Sequence, residues 1–145
     1  MTKFLFYDTE TTGLLKPCNS RLEWQPHIIE FYGVVYDENE NKLDELEFLC
    51  KPPIPITQQI TKITKISEED IKDAKPFSFY AEKVKNLFES VDIQVAHNLS
   101  YDYNVVNYEM KRLGIDVKHP KLFCTLEKTR FFEGRRLSLS DLYLS

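Results

Sequence analysis

The chain opens on an apolar run, FLFY at residues 4–7, that breaks off into the polar stretch DTETTG. A short apolar run bounded by turn-forming residues predicts a buried strand. Residues 27–52, HIIEFYGVVYDENENKLDELEFLCKP, carry two further strand-like runs around a polar turn from Asp37 to Asn41. Asn and Asp favour turn conformations, so an antiparallel hairpin is predicted after the first strand. The stretch KPPIPITQQ is rich in proline and predicts extended chain. Ser67, followed by Glu68, Glu69 and Asp70, predicts an N-cap with acids in the first turn of a short helix. Pro76 opens a longer helical pattern, PFSFYAEKVKNLFES, with Phe77, Ala81, Val84 and Phe88 at helical spacing. VDIQVA then predicts another strand, and HNLSYDYNVVNYEMKRLG a loop running into a helix that Gly114 closes. KLFC predicts a last strand, and CTLEKTRFF and LSLSDLYL predict short helices. Three antiparallel strands followed by alternating helix and strand give an α/β domain with a mixed sheet flanked by helices.

Length and composition narrow the class. A chain of 145 residues fits one domain, residues 1–145. A domain of that size buries roughly two-thirds of its unfolded surface, enough for a core without staples. Cys18, Cys50 and Cys124 are odd in number and far apart, which suggests neither a disulfide framework nor a thiolate zinc site. The first residues resemble neither a signal peptide nor a membrane span, so a soluble, cytoplasmic protein with no membrane partner is expected. A formal charge of −4 argues against coating nucleic acid by electrostatics alone. Lys121, Lys128, Arg130, Arg135 and Arg136 form a local basic bias that reads as a solvated face.

The chemistry starts where the first strand ends. Residues two apart on a strand point to the same side, so Asp8 and Glu10 present their carboxylates side by side if the strand runs that far. Two anions so placed call for a cation, and oxygen ligands suit Mg²⁺ or Mn²⁺ rather than Zn²⁺. The Thr-Thr-Gly that follows lets backbone approach a ligand closely. On a helix beginning near Ser100, Asp102, Val106, Met110 and Leu113 fall within about 80° of arc, so an acid leads the apolar face. A carboxylate buried there must be paired, protonated or metal-bound.

DTETTGL, with HNLSYD downstream, resembles the first and second motifs of the DEDD-superfamily 3′→5′ exonucleases, in the form of the proofreading (epsilon) subunits of bacterial DNA polymerase III. The hairpin stretch and ITKISEEDI are similar to the family's corresponding segments, although Thr64 and Lys65 replace its common His-Gly. The resemblance implies a ribonuclease-H-like fold and two-metal hydrolysis of nucleic-acid phosphodiesters, most readily of DNA. Asp8 would contact two Mg²⁺ or Mn²⁺ ions, Glu10 one of them, and Asp102 would help hold the second. By the same resemblance Thr11, Thr12, Gly13 and Leu14 would hold the terminal nucleotide, Leu14 as an apolar wedge against its base. His97, Asn98 and Tyr101 would sit near the substrate, with Tyr101 where the family often has phenylalanine. The implied partners are a nucleic acid with a 3′ end, as single-stranded DNA, and a DNA polymerase.

One departure from the family's pattern stands out. Its third motif, usually His-x-x-x-x-Asp, supplies a general base and a last metal ligand, and no such motif follows Asp102. LSLSDLYLS resembles the segment upstream of it, so the sequence reads as the family's domain truncated at its C-terminal end, with the activity of the chain in doubt. Asp141 reads as a surface acid, and His27 and His119 as structural or exposed. The alternative function is a catalytically incomplete exonuclease fold acting as a nucleic-acid-binding or polymerase-associated module. A haloacid-dehalogenase-like phosphatase, with its D-x-D-x-T/V strand end, fits less well because VDIQVA runs into His97 rather than Ser or Thr.

Overall fold

The computed structural model describes residues 1–96 and 98–124. The expected helices in CTLEKTRFF and LSLSDLYL, the acid Asp141, the basic residues from Lys128 to Arg136, and His97 lie outside the described residues.

The first strand, β1, runs Lys3–Thr11, so the strand does carry both carboxylates. It is followed by a single 3₁₀ turn at Leu22–Trp24, β2 at Ile28–Asp37 and β3 at Lys42–Leu49. Two short helices follow, α1 at Gln58–Thr64 and α2 at Glu68–Ile71. A 3₁₀ turn at Phe77–Phe79 leads into α3 at Ala81–Glu89, then β4 at Ile93–Ala96, α4 at Leu99–Arg112 and β5 at Lys121–Cys124. The strands form one sheet in the order β3-β2-β1-β4-β5. The pairs β3/β2 and β2/β1 are antiparallel, while β1/β4 and β4/β5 are parallel, so β1 is the centre of the mixed α/β sheet expected from the sequence.

The period-two pattern of β1 explains its place. Leu5 and Tyr7 join Phe31, Val35 and Phe48 on one side of the sheet, where they pack with Ala81, Val84, Leu87 and Phe88 of α3 and Val105, Val106 and Met110 of α4. Phe6, on the other side, clusters with Val34 and Val95. At Gly33 of β2, an added Cβ would stand 2.9 Å from the Phe31 ring and 3.1 Å from Leu87 Cδ2, so glycine is what lets this packing close. The hairpin turns on Asp37, whose Oδ1 accepts from the backbone N–H groups of Asn39 (2.8 Å) and Asn41 (2.9 Å).

Three local expectations are corrected. KPPIPITQQ is extended only at its start, because Gln58 and Gln59 already belong to α1, capped by the Thr57 side chain. That helix is rich in Ile and Thr, whose branched side chains mask a helical pattern. Pro76 does not open a continuous helix. It precedes the 3₁₀ turn, and the α-helix starts at Ala81, although Phe77, Ala81, Val84 and Phe88 are all buried as the spacing implies. Leu113 does not complete the apolar face of α4. It is the C-cap, 41% exposed, where the chain turns at Gly114 with φ +69°. The α2 cap is as expected, with reciprocal bonds between Ser67 and Asp70.

Candidate active site

Parallel pairing puts the carboxyl ends of β1 and β4 at the same edge. The last β1/β4 pair is Tyr7 with Ala96, so Asp8 and Glu10 lie where β1 runs past its neighbour. The chain leaving β4 enters α4 beside them. Ligands of open α/β sheets gather in the crevice outside such strand ends. Asp102 sits in the first turn of α4 and is only 2% exposed. The Thr9 hydroxyl donates to its Oδ1 at 2.7 Å, fixing the carboxyl against the strand between the two other acids.

The acids are coupled. Burial, then the charges of Asp8 and Glu30, push Glu10 up to about 7. Burial also pushes Asp102 up to about 7, opposed by the Thr9 hydrogen bond and reinforced by the charge of Asp8. Asp8 thus faces both other carboxyls electrostatically, and its Oδ1 accepts from the Thr9 N–H at 3.0 Å. The antiparallel register sets Glu10 opposite Glu30, whose carboxyl is held above its ordinary range by burial and by Glu47 and Asp8. Burial, then the charges of Asp102, Glu10 and Asp8, raise Tyr101, opposed by its hydrogen bond with Thr11. Mutual repulsion among hard oxygen donors is the condition a divalent cation relieves, so the donor set fits Mg²⁺ or Mn²⁺ in its chemistry. Among the described residues, however, no three His, Cys, Asp or Glu side chains converge closely enough to form a metal group as they stand.

The loop from Thr12 to His27 leaves and re-enters at this edge. Thr12 N–H donates to the His27 carbonyl (2.9 Å), and His27 N–H donates to the Thr12 hydroxyl (3.0 Å). His27 is buried, and burial followed by the charge of Arg112 holds its imidazole down to about 4, so it is a neutral structural residue. Tyr101 reaches from α4 to donate to the Gly13 carbonyl at 2.7 Å, and its hydroxyl is also hydrogen-bonded to that of Thr11. The hydroxyls of Thr11 and Thr12 are therefore engaged within the chain. Apart from Gly13 itself and its two chain neighbours, no described atom lies within 4 Å of where a Cβ would stand on Gly13, and Leu14 is 80% exposed. Asn98 caps α4 by its carbonyl, which accepts from the N–H groups of Tyr101 (3.0 Å) and Asp102 (2.9 Å).

Sequence reasoning named Asp8, Glu10 and Asp102 but passed over Thr9, Glu30 and the residues that hold the loop. Glu30 carried a signal, being the lone charge inside the apolar run HIIEFYGVVY. Arg112 and Glu109 sit on the last turn of α4. Arg112 donates to the carbonyls of Leu22 (2.9 Å), Gln25 (2.6 Å) and Pro26 (3.2 Å) and to Glu109 Oε1 (2.8 Å). Glu109 Oε2 in turn accepts from Ile28 N–H at 2.8 Å. His119 is structural too. One ring nitrogen meets Gln94 Nε2 at 3.0 Å and the other Asn107 Oδ1 at 2.6 Å.

The model of the exonuclease family (RNase_T) matches residues 5–143, almost the whole sequence and both acid motifs. The chain belongs to the exonuclease family. Among its relatives, the PolC-type DNA polymerase III of Caldanaerobacter subterraneus is 35% identical over 128 residues, 88% of this chain and 8% of that protein. The 3′-5′ exonuclease DinG of Bacillus subtilis is 30% identical over 140 residues, 94% of this chain and 14% of that protein. This exonuclease-family chain thus spans a small part of the curated relatives it matches. Among solved structures, Escherichia coli exonuclease I in complex with a dT13 oligonucleotide aligns with a TM-score of 0.73 at 20% identity, over 92% of this chain and 30% of that one. The shared architecture is the ribonuclease-H-like exonuclease fold. Among the described residues, no helix is long and apolar enough to cross a membrane.

Proposed function

We propose that this domain is a metal-dependent 3′→5′ exonuclease that hydrolyses phosphodiesters from the 3′ end of single-stranded DNA, with residues 1–145 acting as one unit. The observation that carries the reading is the placement of Asp8, Glu10 and Asp102 at the carboxyl ends of β1 and β4, with Asp102 fixed by Thr9 and with burial, then the charge of Asp8, raising Glu10 and Asp102. Family membership and the 3′-5′ exonuclease relative support the reaction class, and the polymerase relatives support DNA as substrate and a replication polymerase as partner.

Asp8, Glu10 and Asp102 would hold the ions, Mg²⁺ or Mn²⁺. A pair of them, when bound, activates the attacking water and neutralises the leaving 3′-oxygen. The protein's own part is to place the donors. Thr9 fixes the Asp102 carboxyl, and Tyr101 ties the start of α4 to the Gly13 carbonyl, so strand, helix and loop are joined at the site. Because the Thr11 and Thr12 hydroxyls already shape the loop, the terminal nucleotide would be met by the open backbone face at Gly13 and by Leu14 against its base. His97 and Asn98 would lie near the same nucleotide.

A second reading, a nucleic-acid-binding or polymerase-associated module without catalysis, is favoured by one observation. The described carboxyls do not converge into a three-donor group. The discriminating experiment is release of mononucleotides from a 3′-labelled single strand with Mn²⁺, by this chain and by any longer natural form containing it. Metal-dependent release lost in Asp8→Ala supports the enzyme. Release that survives Asp8→Ala overturns the site, and binding without release in every form supports the module.

A further inference from the structure

The loop between Thr12 and His27 displays a large aromatic side chain while being held unusually firmly for a surface connection. Trp24 is 60% exposed at the end of the 3₁₀ turn, with the Arg21 guanidinium 5.4 Å from its ring centroid. Flexible loops leave side chains exposed by default, but this one is fastened from behind. Gln25, next to Trp24, is 1% exposed, and its amide receives Lys16 N–H (2.9 Å) and donates to the carbonyls of Lys16 and Pro17 (3.2 Å each). Arg112 holds the carbonyls of Leu22, Gln25 and Pro26, which bracket Trp24 on both sides. An aromatic ring kept out of the core on a rigid frame is pre-organised for an external partner, because the ordering entropy is already lost in the free protein.

The position and charge of the frame identify the partner. The loop that carries Trp24 begins at Thr12, two residues past Glu10, and closes at His27, whose backbone pairs with Thr12, so it springs from the sheet edge that carries the carboxyls and is fastened by Arg112 at the other end of α4 from Asp102. In a chain of net charge −4, this loop carries two cations, Lys16 and Arg21, against the one acid Glu23. The Arg21–Glu23 pair, at 3.6 Å with both side chains about 70% exposed, is too wet to hold the guanidinium away from another anion. An aromatic face with an adjacent guanidinium, on a loop that springs from the carboxyl edge, matches a stacked base and its phosphate.

We propose that Trp24 and Arg21 form a stacking platform for a base of single-stranded nucleic acid, upstream of the 3′ end that the carboxyl site would receive. The platform rests on the exonuclease reading for its orientation. Trp24 stacks without regard to base identity, Arg21 takes the neighbouring phosphate, and Arg112, Glu109 and Gln25 act as positioning residues that keep the ring presented.

Trp24 is the chain's single tryptophan, so intrinsic emission reports on this position alone. The experiment titrates the chain in EDTA with an end-labelled oligo-dT, following label anisotropy and tryptophan emission together, and repeats the titration with an abasic oligomer of equal charge. Saturable quenching with the same midpoint as the anisotropy is expected, absent with the abasic strand. Base stacking on an aromatic platform predicts that Trp24→Ala weakens oligo-dT binding by about 5-fold or more, while Trp24→Phe retains most of it. Because Trp24 is exposed, the alanine variant should keep the parent melting temperature, which separates lost stacking from lost folding. Binding by anisotropy with unchanged emission and unchanged Trp24→Ala affinity overturns the platform and leaves the exonuclease reading intact. Quenched binding without metal-dependent hydrolysis in any form keeps the platform and removes that reading. Emission that ignores oligo-dT but shifts as the chain is concentrated marks Trp24 as a protein contact, and likewise overturns the proposal.

Discussion

Two polar clusters are anchored at neighbouring positions of β1, Tyr7 and Thr9, and they are built on opposite terms. Tyr7 donates its hydroxyl to Gln94 Oε1 at 2.9 Å. The Gln94 amide nitrogen meets His119 Nδ1, and His119 Nε2 meets Asn107 Oδ1. All of these groups are neutral, and that geometry fixes the histidine tautomer, with Nδ1 accepting and Nε2–H donating. Two residues further on, Thr9 donates to Asp102, and from there the contacts are repulsive, running through Asp8 to Glu10 and Glu30. The first cluster joins β1, β4, α4 and the segment before β5 by satisfied hydrogen bonds and has nothing to offer a ligand. The second keeps acids together that would separate in the unfolded chain. Stability alone does not select such an arrangement, whereas a bound cation turns its repulsion into affinity.

The clusters should respond differently to mutation. The largest effect is on activity: Asp8→Ala should lower metal-dependent 3′-end hydrolysis by about two orders of magnitude or more, since it removes the acid that couples the other two. Next comes folding. Gln94→Leu removes the acceptor of the Tyr7 hydroxyl and the donor to His119 Nδ1, while Nε2 keeps Asn107, and each buried polar group that loses a hydrogen bond costs about 1–3 kcal/mol. A fall in melting temperature on the order of 10 °C is expected by calorimetry. A melting temperature within a degree of the parent would show that the neutral network contributes little.

Acid and base should act on different clusters. Burial holds His119 below its ordinary range and His27 at about 4, so their contribution is present above about pH 6.5 and is lost as the pH falls. Glu10 and Asp102 are raised to about 7, so their contribution is present below about pH 4 and is lost as the pH rises through 7. Melting curves in EDTA should therefore show His119→Gln flattening the acid limb and Asp102→Asn flattening the alkaline limb. The smallest effect follows from the second of these. Asp102→Asn keeps an acceptor for Thr9 and removes a charge, so it should raise the metal-free melting temperature at pH 8 by about 1–3 °C and leave it unchanged at pH 5. Destabilisation at pH 8 would mean that the carboxylate is already compensated.

Much of the molecule was legible in the sequence for identifiable reasons. The apolar runs around Tyr7, Phe31 and Val95 follow the pleat of the sheet, and Ser67 and Gly114 mark helix ends by local backbone chemistry, so neither depends on distant partners. Asp8, Glu10 and Asp102 could be named because strand and helix periodicity apply to acids as they do to apolar residues. What escaped depends on contacts made across the chain. Arg112 looks like an ordinary cation in the last turn of a helix, and only the folded loop shows it holding three carbonyls far away in sequence. Thr9 stands between two acids in sequence, and only the fold brings Asp102 of α4 to its hydroxyl. Helix α1 escaped because its Ile and Thr residues obscure a helical pattern, and Leu113 was misplaced because periodicity does not show where a helix stops.

Whether the repelling carboxyls form a hard-cation site is measured directly by a calorimetric titration of the metal-free chain with Mn²⁺ at pH 7. Weak, saturable binding is expected, with release of protons from Glu10 and Asp102 that scales with the ionisation enthalpy of the buffer, and both signals should vanish in Asp8→Ala. Tight binding of Zn²⁺ with no response to Mn²⁺, or Mn²⁺ binding that survives Asp8→Ala unchanged, would contradict such a site.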